Sequence, residues 1–195
     1  NKNQIDTINV SVYQDTAQIK FEGQVKNAKN NPQFVFDARF NGYVLEKDAG
    51  INFKYFDSEG KMGVMLGLEA TLEDKGVRIR LTPARPLLGY KEFNLNKDNY
   101  IYLGNDMKVE ANVDLIADDG TGVKLFSTPN EEALQDMTVS INKFDLEKIM
   151  SVLPYMPRMT GSLNGDFHFI QTKDQLSVMS DLAVSKMTYN HSKIG

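Results

Sequence analysis

Apolar and polar residues alternate with a period of two along most of this 195-residue chain. Successive side chains of a β-strand point to opposite faces of the sheet, so the alternation predicts strands with one apolar and one polar face. The pattern is found at positions 8–12, 17–25, 34–40, 51–55, 62–70, 77–81, 107–115, 123–125, 137–141 and in short segments between 163 and 189. About a dozen strands are expected.

Polar turns separate these strands, for example at positions 57–60, 73–76 and 118–120. The spacing between strands is too short for crossover helices, which favours antiparallel pairing of neighbours. The sequence therefore predicts a mainly β fold. We expect an antiparallel meander curled into an open groove, taco-shaped or jelly-roll-like, with one short α-helix.

The helix is predicted at 145–153, where Leu146, Ile149 and Leu153 recur at helical spacing. Asp145 favours its N-terminus and Pro154 ends it.

The segment 84–106 is less regular. Pro83 and Pro86 are expected only at a sheet edge or a strand end, because proline cannot donate to the ladder. Positions 100–103 are predicted to form a short strand. The sequence predicts one elongated β-domain over 1–195. The segment 83–106 is the best candidate for a seam, that is, for a boundary between two parts of the domain.

Composition narrows the classes of function. The formal net charge is −4, which argues against nucleic acid as a partner, because phosphate binding needs a basic face. The absence of cysteine excludes disulfides, zinc–thiolate sites and cysteine nucleophiles. The sequence contains no apolar run long enough to span a membrane and no visible signal peptide at Asn1.

No catalytic, cofactor or metal site is predicted. His168 and His191 are interpreted as solvated surface residues, and residues 120–122 as a tight turn instead of a phosphate loop. The paired carboxylates Glu131 and Glu132 lie in a polar segment and are interpreted as solvated. Without a tryptophan platform or a carboxylate pair at a cleft, an enzyme is not expected.

The apolar faces of the strands remain as the candidate functional surface. In a closed sandwich they would pack against each other, whereas in an open sheet they would line a trough for alkyl chains, and composition does not choose between the two. The predicted groove-lining residues are Ile19, Phe21, Phe34, Phe36, Phe40, Phe53, Val64, Leu66, Leu68, Val109, Val113, Leu115, Val139, Ile141, Leu163, Phe167 and Phe169.

Motifs in the second half of the chain carry a family resemblance. Phe144-Asp145-Leu146 opens a short apolar segment that runs to Pro157, and a strand of the form Gly-x-Leu-x-Gly follows at 161–165. The chain then ends in Tyr-Asn-His-Ser-Lys-Ile-Gly at 189–195. Over about 86–195, this order resembles the C-terminal repeats of TamB-like proteins, the translocation and assembly module of Gram-negative envelopes, within the AsmA-like group.

The resemblance implies a β-taco with an apolar interior, in a periplasmic segment of a larger repetitive protein anchored in the inner membrane. It also implies an outer-membrane barrel partner of the TamA or BamA type, and a role in moving phospholipid or assembling outer-membrane proteins.

Two hypotheses follow. In the first, the groove holds phospholipid acyl chains or unfolded outer-membrane β-strands. In the second, the chain is a scaffold or an adhesin-like interaction module that binds partners through its strand edges, without lipid transport.

Overall fold

The computed structural model describes residues 5–27, 35–152, 158–189 and 192–193. In chain order the strands are β1 (Ile5–Asp15), β2 (Gln18–Asn27), β3 (Asp37–Val44), β4 (Asp48–Phe56), β5 (Met62–Glu73), β6 (Gly76–Leu88), β7 (Lys91–Glu92), β8 (Asn94–Leu95), β9 (Tyr100–Gly104), β10 (Val109–Ile116), β11 (Gly122–Ser127), β12 (Gln135–Asp145), β13 (Met159–Gln171), β14 (Leu176–Tyr189) and β15 (Ser192–Lys193). Helix α1 (Leu146–Ser151) lies between β12 and β13.

All of these strands belong to one open antiparallel sheet. Its order follows the sequence from β1 to β6, continues through β9 to β15, and leaves β7 beside β6 and β8 beside β10. The predicted antiparallel meander with one short helix is therefore confirmed. The predicted strand at 100–103 is confirmed as β9, which extends to Gly104.

The two ends of the strands differ. At one end, which we call the hairpin end, short turns such as 16–17, 45–47 and 74–75 connect neighbouring strands. At the opposite end, the helix end, the connections include α1 and the excursion that carries β7 and β8.

The expectation that Pro83 and Pro86 lie at a sheet edge or strand end is wrong. Both lie inside β6, which continues past them to Leu88. The pairing of β5 with β6 shifts here, so that residues 83–86 stand opposite the single residue Leu66. This bulge leaves the prolines outside the ladder, which removes the penalty for their missing N–H donors.

Asparagine side chains join β6 to β10 between β8 and β9. The Asp114 N–H donates to Asn96 Oδ1 at 2.9 Å, and the Leu81 N–H donates to Asn99 Oδ1 at 2.8 Å. Asn99 is 5% exposed and also donates to the Asn96 carbonyl. Amide side chains thus supplement the backbone ladder across the predicted seam region, and the sheet continues through it.

Helix α1 begins at its predicted cap. The Asp145 carboxylate accepts hydrogen bonds from the N–H groups of Glu147 and Lys148, which have no partner inside the first turn. The helix continues to Ser151, and Val152 is its C-cap. The predicted last helical residue, Leu153, and Pro154, which was predicted to end the helix, lie outside the described residues.

The sheet is concave on the side where α1 packs. Cγ1 of Val152 lies 2.6 Å from the position that a Cβ atom would take at Gly63 in β5. In sheet order β5 and β12 are five strand spacings apart, about 24 Å in a flat sheet. A six-residue helix advances only about 9 Å, so the sheet curls to bring β5 towards the end of β12.

A small apolar cluster fills the helix end of the concave side. Phe93, Leu115 and Ala117 form its buried centre, and Leu88, Leu95 and Phe144 pack against them. The rings of Phe93 and Phe144 lie 6.5 Å apart between centroids. The cluster draws together β6, β8, β10 and β12, and it stabilises the curvature through apolar burial.

The accessible surface shows how open the molecule is. It measures 12782 Å² for a chain of 22.0 kDa. A compact monomer of this mass would expose about 9,300 Å². The excess arises because much of the sheet has no second layer against it.

Candidate functional site: the apolar face of the sheet

The backbone register brings the predicted groove-lining residues to one side of the sheet. Phe21 is linked through Gly42 and Ile51 to Leu68 by successive cross-strand pairs. On the other side of β10, Val113 is linked through Leu125 and Val139 to Phe167 in the same way. We call this side the apolar face.

The described residues predicted to line the groove that belong to this face are Ile19, Phe21, Phe36, Phe40, Phe53, Val64, Leu66, Leu68, Val109, Val113, Leu115, Val139, Ile141, Leu163, Phe167 and Phe169. Phe34 lies outside the described residues. The face also includes residues that were not among the candidates, such as Ile8, Val10, Val12, Ile51, Leu72, Leu103, Leu125, Val178 and Leu182.

The apolar face lacks charge over almost its whole extent. In the described registers of β1–β6 and β9–β14, no Asp, Glu, Lys or Arg is paired into this face. Lys91 of β7 is paired with Leu88 at the helix end, and its ammonium lies 2.6 Å from Asp119 Oδ2. The remaining face therefore offers an alkyl chain no charge to avoid.

Exposure varies across the face. In the central strand β10, Ala111, Val113 and Leu115 are buried. Towards the flanks the face is open to solvent, with Val12 of β1 67% exposed and Val178 of β14 51% exposed. Such a large exposed apolar surface is rare in monomeric proteins and marks a site of interaction.

Phenylalanine rings lie over glycines on the apolar face. A Cβ atom at Gly23 would lie 2.3 Å from Cζ of Phe40, and one at Gly42 would lie 2.4 Å from Cζ of Phe21. The register confirms both cross-strand pairs. The rings cover glycine backbone instead of projecting from the sheet, which gives β2 and β3 a smooth apolar surface. Sequence reasoning missed these pairs because they depend on register.

The opposite face, which we call the polar face, carries the charges. Asp37 accepts hydrogen bonds from Arg39 and Gln24. Burial alone would raise the pKa of Asp37, but these two donors and the charges of Arg39 and Lys26 lower it below its usual value. The charged side chains thus lie on the polar face, and the two faces of the sheet differ in polarity.

His168 was predicted to be a solvated surface residue. It lies on the polar face, but it is not simply solvated. Its Nε2 atom is 2.7 Å from Asp136 Oδ1, and the Asp136 side chain is only 8% exposed. The hydrogen bond from Asn130 is the main cause that lowers the pKa of Asp136, and the hydrogen bond with His168 lowers it further. This pair joins β12 to β13. His191 lies outside the described residues.

The other chemical candidates are a turn and two exposed carboxylates. A turn was predicted at 118–120 and a tight turn at 120–122. The structure has the turn between β10 and β11 at 118–121, with the Gly120 N–H donating to the Ala117 carbonyl at 2.9 Å, and Gly122 is the first residue of β11. Glu131 and Glu132 are exposed, as expected. Within the described ranges no group of three or more His, Cys, Asp or Glu side chains could hold a metal ion.

The only helix among the described residues, α1, is too short to cross a membrane, and no described helix meets that requirement.

None of the protein-family models, curated proteins or solved structures compared with the chain matches it.

Proposed function

We propose that the apolar face binds phospholipid acyl chains, and that the chain is a periplasmic segment of a TamB-like envelope protein. The observation that supports this most strongly is the uncharged apolar face, which crosses nearly the whole sheet and stays exposed on its flanks. The open, concave meander agrees with the architecture that the family resemblance implies. The inner-membrane anchor and the TamA- or BamA-type partner belong to the same proposal.

The physical basis is the transfer of methylene groups from water. Each buried CH₂ group contributes about 0.8 kcal/mol, and an alkyl chain needs no hydrogen-bond partner. A face without charge lets the chain shift position without desolvating an ion. An unfolded β-strand, the other client considered, presents backbone N–H and C=O groups that this face could not satisfy. The geometry therefore favours acyl chains.

The test compares two adjacent residues of β4. Ile51 is 39% exposed on the apolar face, and Asn52 is exposed on the polar face. Ile51→Asp places a carboxylate where the acyl chain would lie, whereas Asn52→Asp adds the same group on the other side. We expect photo-crosslinking of a diazirine-labelled fatty acid to fall at least about tenfold in Ile51→Asp and to stay unchanged in Asn52→Asp. Equal crosslinking in both variants would refute acyl-chain binding by this face.

A second candidate function uses a strand edge. The outer edge of β1 has no partner among the described residues, and the strand is 11 residues long. An exposed edge of this length can accept a strand from another protein. Val10→Pro would block such pairing without adding charge to the apolar face. Loss of barrel-protein pulldown in Val10→Pro, with pulldown retained in Ile51→Asp, would favour the scaffold role.

A further inference from the structure

A cavity of about 290 Å³ lies on the polar face at the hairpin end, away from the apolar face. It is lined by Lys75, Tyr102, Gly104, Asn105, Asp106, Lys108 and Glu110. Its volume is at the lower end of the range for small-molecule sites, about 300 Å³ upwards. The site is independent of the acyl-chain proposal.

Two paired glycines leave room for this cavity because they carry no side chains. Gly76 of β6 and Gly104 of β9 are directly opposite each other in the sheet. A Cβ atom at Gly76 would lie 2.8 Å from the Tyr102 hydroxyl, and one at Gly104 would lie 2.4 Å from Asp106 Oδ1. Larger residues at these positions would therefore crowd the cavity.

The backbone of two neighbouring turns fixes the cavity walls. The Asn105 N–H donates to the Lys75 carbonyl at 2.8 Å, which holds the β9–β10 turn against the β5–β6 turn. The Arg78 guanidinium lies 5.2 Å from the centroid of the Tyr102 ring, and Arg78 Nε lies 2.6 Å from Glu73 Oε1. These contacts position Tyr102 before any ligand binds.

Several polar groups of the lining have unused hydrogen-bonding capacity. Among the described residues, the Lys75 ammonium, the Tyr102 hydroxyl and the Asn105 side-chain amide make no hydrogen bond. Glu110 has only a distant ion pair, 3.8 Å from the Lys108 ammonium. Asp106 Oδ1 accepts the Lys108 N–H, which leaves its second oxygen available.

We propose that this cavity binds a small zwitterion that carries a phosphate group and an ammonium group. Lys75, Lys108, Tyr102 and Asn105 supply donors for the several oxygens of a phosphate, to which charge-assisted hydrogen bonds are strongest. Asp106 and Glu110 supply acceptors for the ammonium. Two cationic and two anionic side chains match a ligand with both charges better than a simple anion.

The chain is titrated separately with O-phosphoethanolamine, inorganic phosphate and ethanolamine. Binding is monitored by the shifts of the amide NMR signals. We expect saturable binding of O-phosphoethanolamine that is at least about tenfold tighter than binding of either fragment. Lys75→Ala and Glu110→Gln should each weaken it about tenfold. The controls Lys173→Ala and Glu131→Gln, which change exposed residues elsewhere, should not change it.

Two results would overturn the proposal. One is equal affinity for phosphate and O-phosphoethanolamine, which would indicate a simple anion site. The other is an absence of saturable binding in a folded chain.

Vesicles with phosphatidylethanolamine then identify the source of the ligand. Binding of the chain both to vesicles and to O-phosphoethanolamine would show that the site accepts the lipid headgroup. Binding to the free compound alone would show that the ligand is soluble. Both results support the site. Since Ile51→Asp alters the opposite face, it should leave this titration unchanged.

Discussion

Among single residues, Gly165 shows how closely the strands β13 and β14 approach. Its φ is 133°, and a Cβ atom there would lie 1.9 Å from the Asp181 carbonyl oxygen. We expect Gly165→Ala to lower the free energy of unfolding by about 2–4 kcal/mol, because strain and a backbone clash combine. Gly60 has φ 78° but open space around it, so Gly60→Ala should cost only about 1 kcal/mol. Urea denaturation followed by circular dichroism measures both, and equal losses would contradict the clash.

Tyr90 provides a second prediction at the residue scale, through the acid dependence of stability. Its hydroxyl donates to Asp57 Oδ2 at 2.8 Å. Burial tends to raise the pKa of Asp57, but the hydrogen bond from Tyr90 and those from the Lys61 and Glu59 N–H groups lower it overall. A carboxyl with a lowered pKa stabilises the fold above its unfolded pKa of about 3.9 and loses that contribution as pH falls through its folded pKa.

Tyr90→Phe should therefore lower the free energy of unfolding by about 1–2 kcal/mol at pH 7, and the deficit should shrink below about pH 4. Urea titrations at pH 7 and pH 3 measure the difference. Tyr13→Phe is the control, since Tyr13 is 49% exposed and its hydroxyl makes no hydrogen bond among the described residues. A deficit of the same size at both pH values would show that the lost bond does not act through ionised Asp57.

At the scale of elements, α1 depends on its first residues. Asp145→Ala removes the acceptor for two N–H groups and should lower the free energy of unfolding by about 1 kcal/mol. Asp145→Asn keeps a capping oxygen and should be nearly neutral. Thermal unfolding of both variants measures the effect. A loss as large in Asp145→Asn would mean that the charge of Asp145, which lies 3.8 Å from the Lys148 ammonium, matters more than the cap.

Elements also differ in how far the sequence predicts them. The strands and the apolar face follow from alternation, because a residue such as Phe53 or Val139 keeps its side of the sheet whatever its partners are. The continuation of β6 past Pro83 does not follow from local pattern. It depends on a bulge opposite Leu66 and on the Asn99 side chain, which replaces a backbone partner from a distant segment. The space for the cavity likewise depends on the pairing of Gly76 with Gly104, which only register reveals.

For the whole molecule, the open sheet determines the size in solution. A compact domain of 195 residues has a radius of gyration of about 16 Å. The accessible surface exceeds that of a compact monomer, and the flanking strands form a single layer. We therefore expect a radius of gyration clearly above about 16 Å. Small-angle X-ray scattering on the monomer peak, with the mass of 22.0 kDa verified by light scattering, measures it. A radius near 16 Å would mean that the apolar face closes on itself in water, as in a sandwich. The surface required for acyl chains would then be absent, whereas a larger radius leaves the flanks of the face open to a ligand.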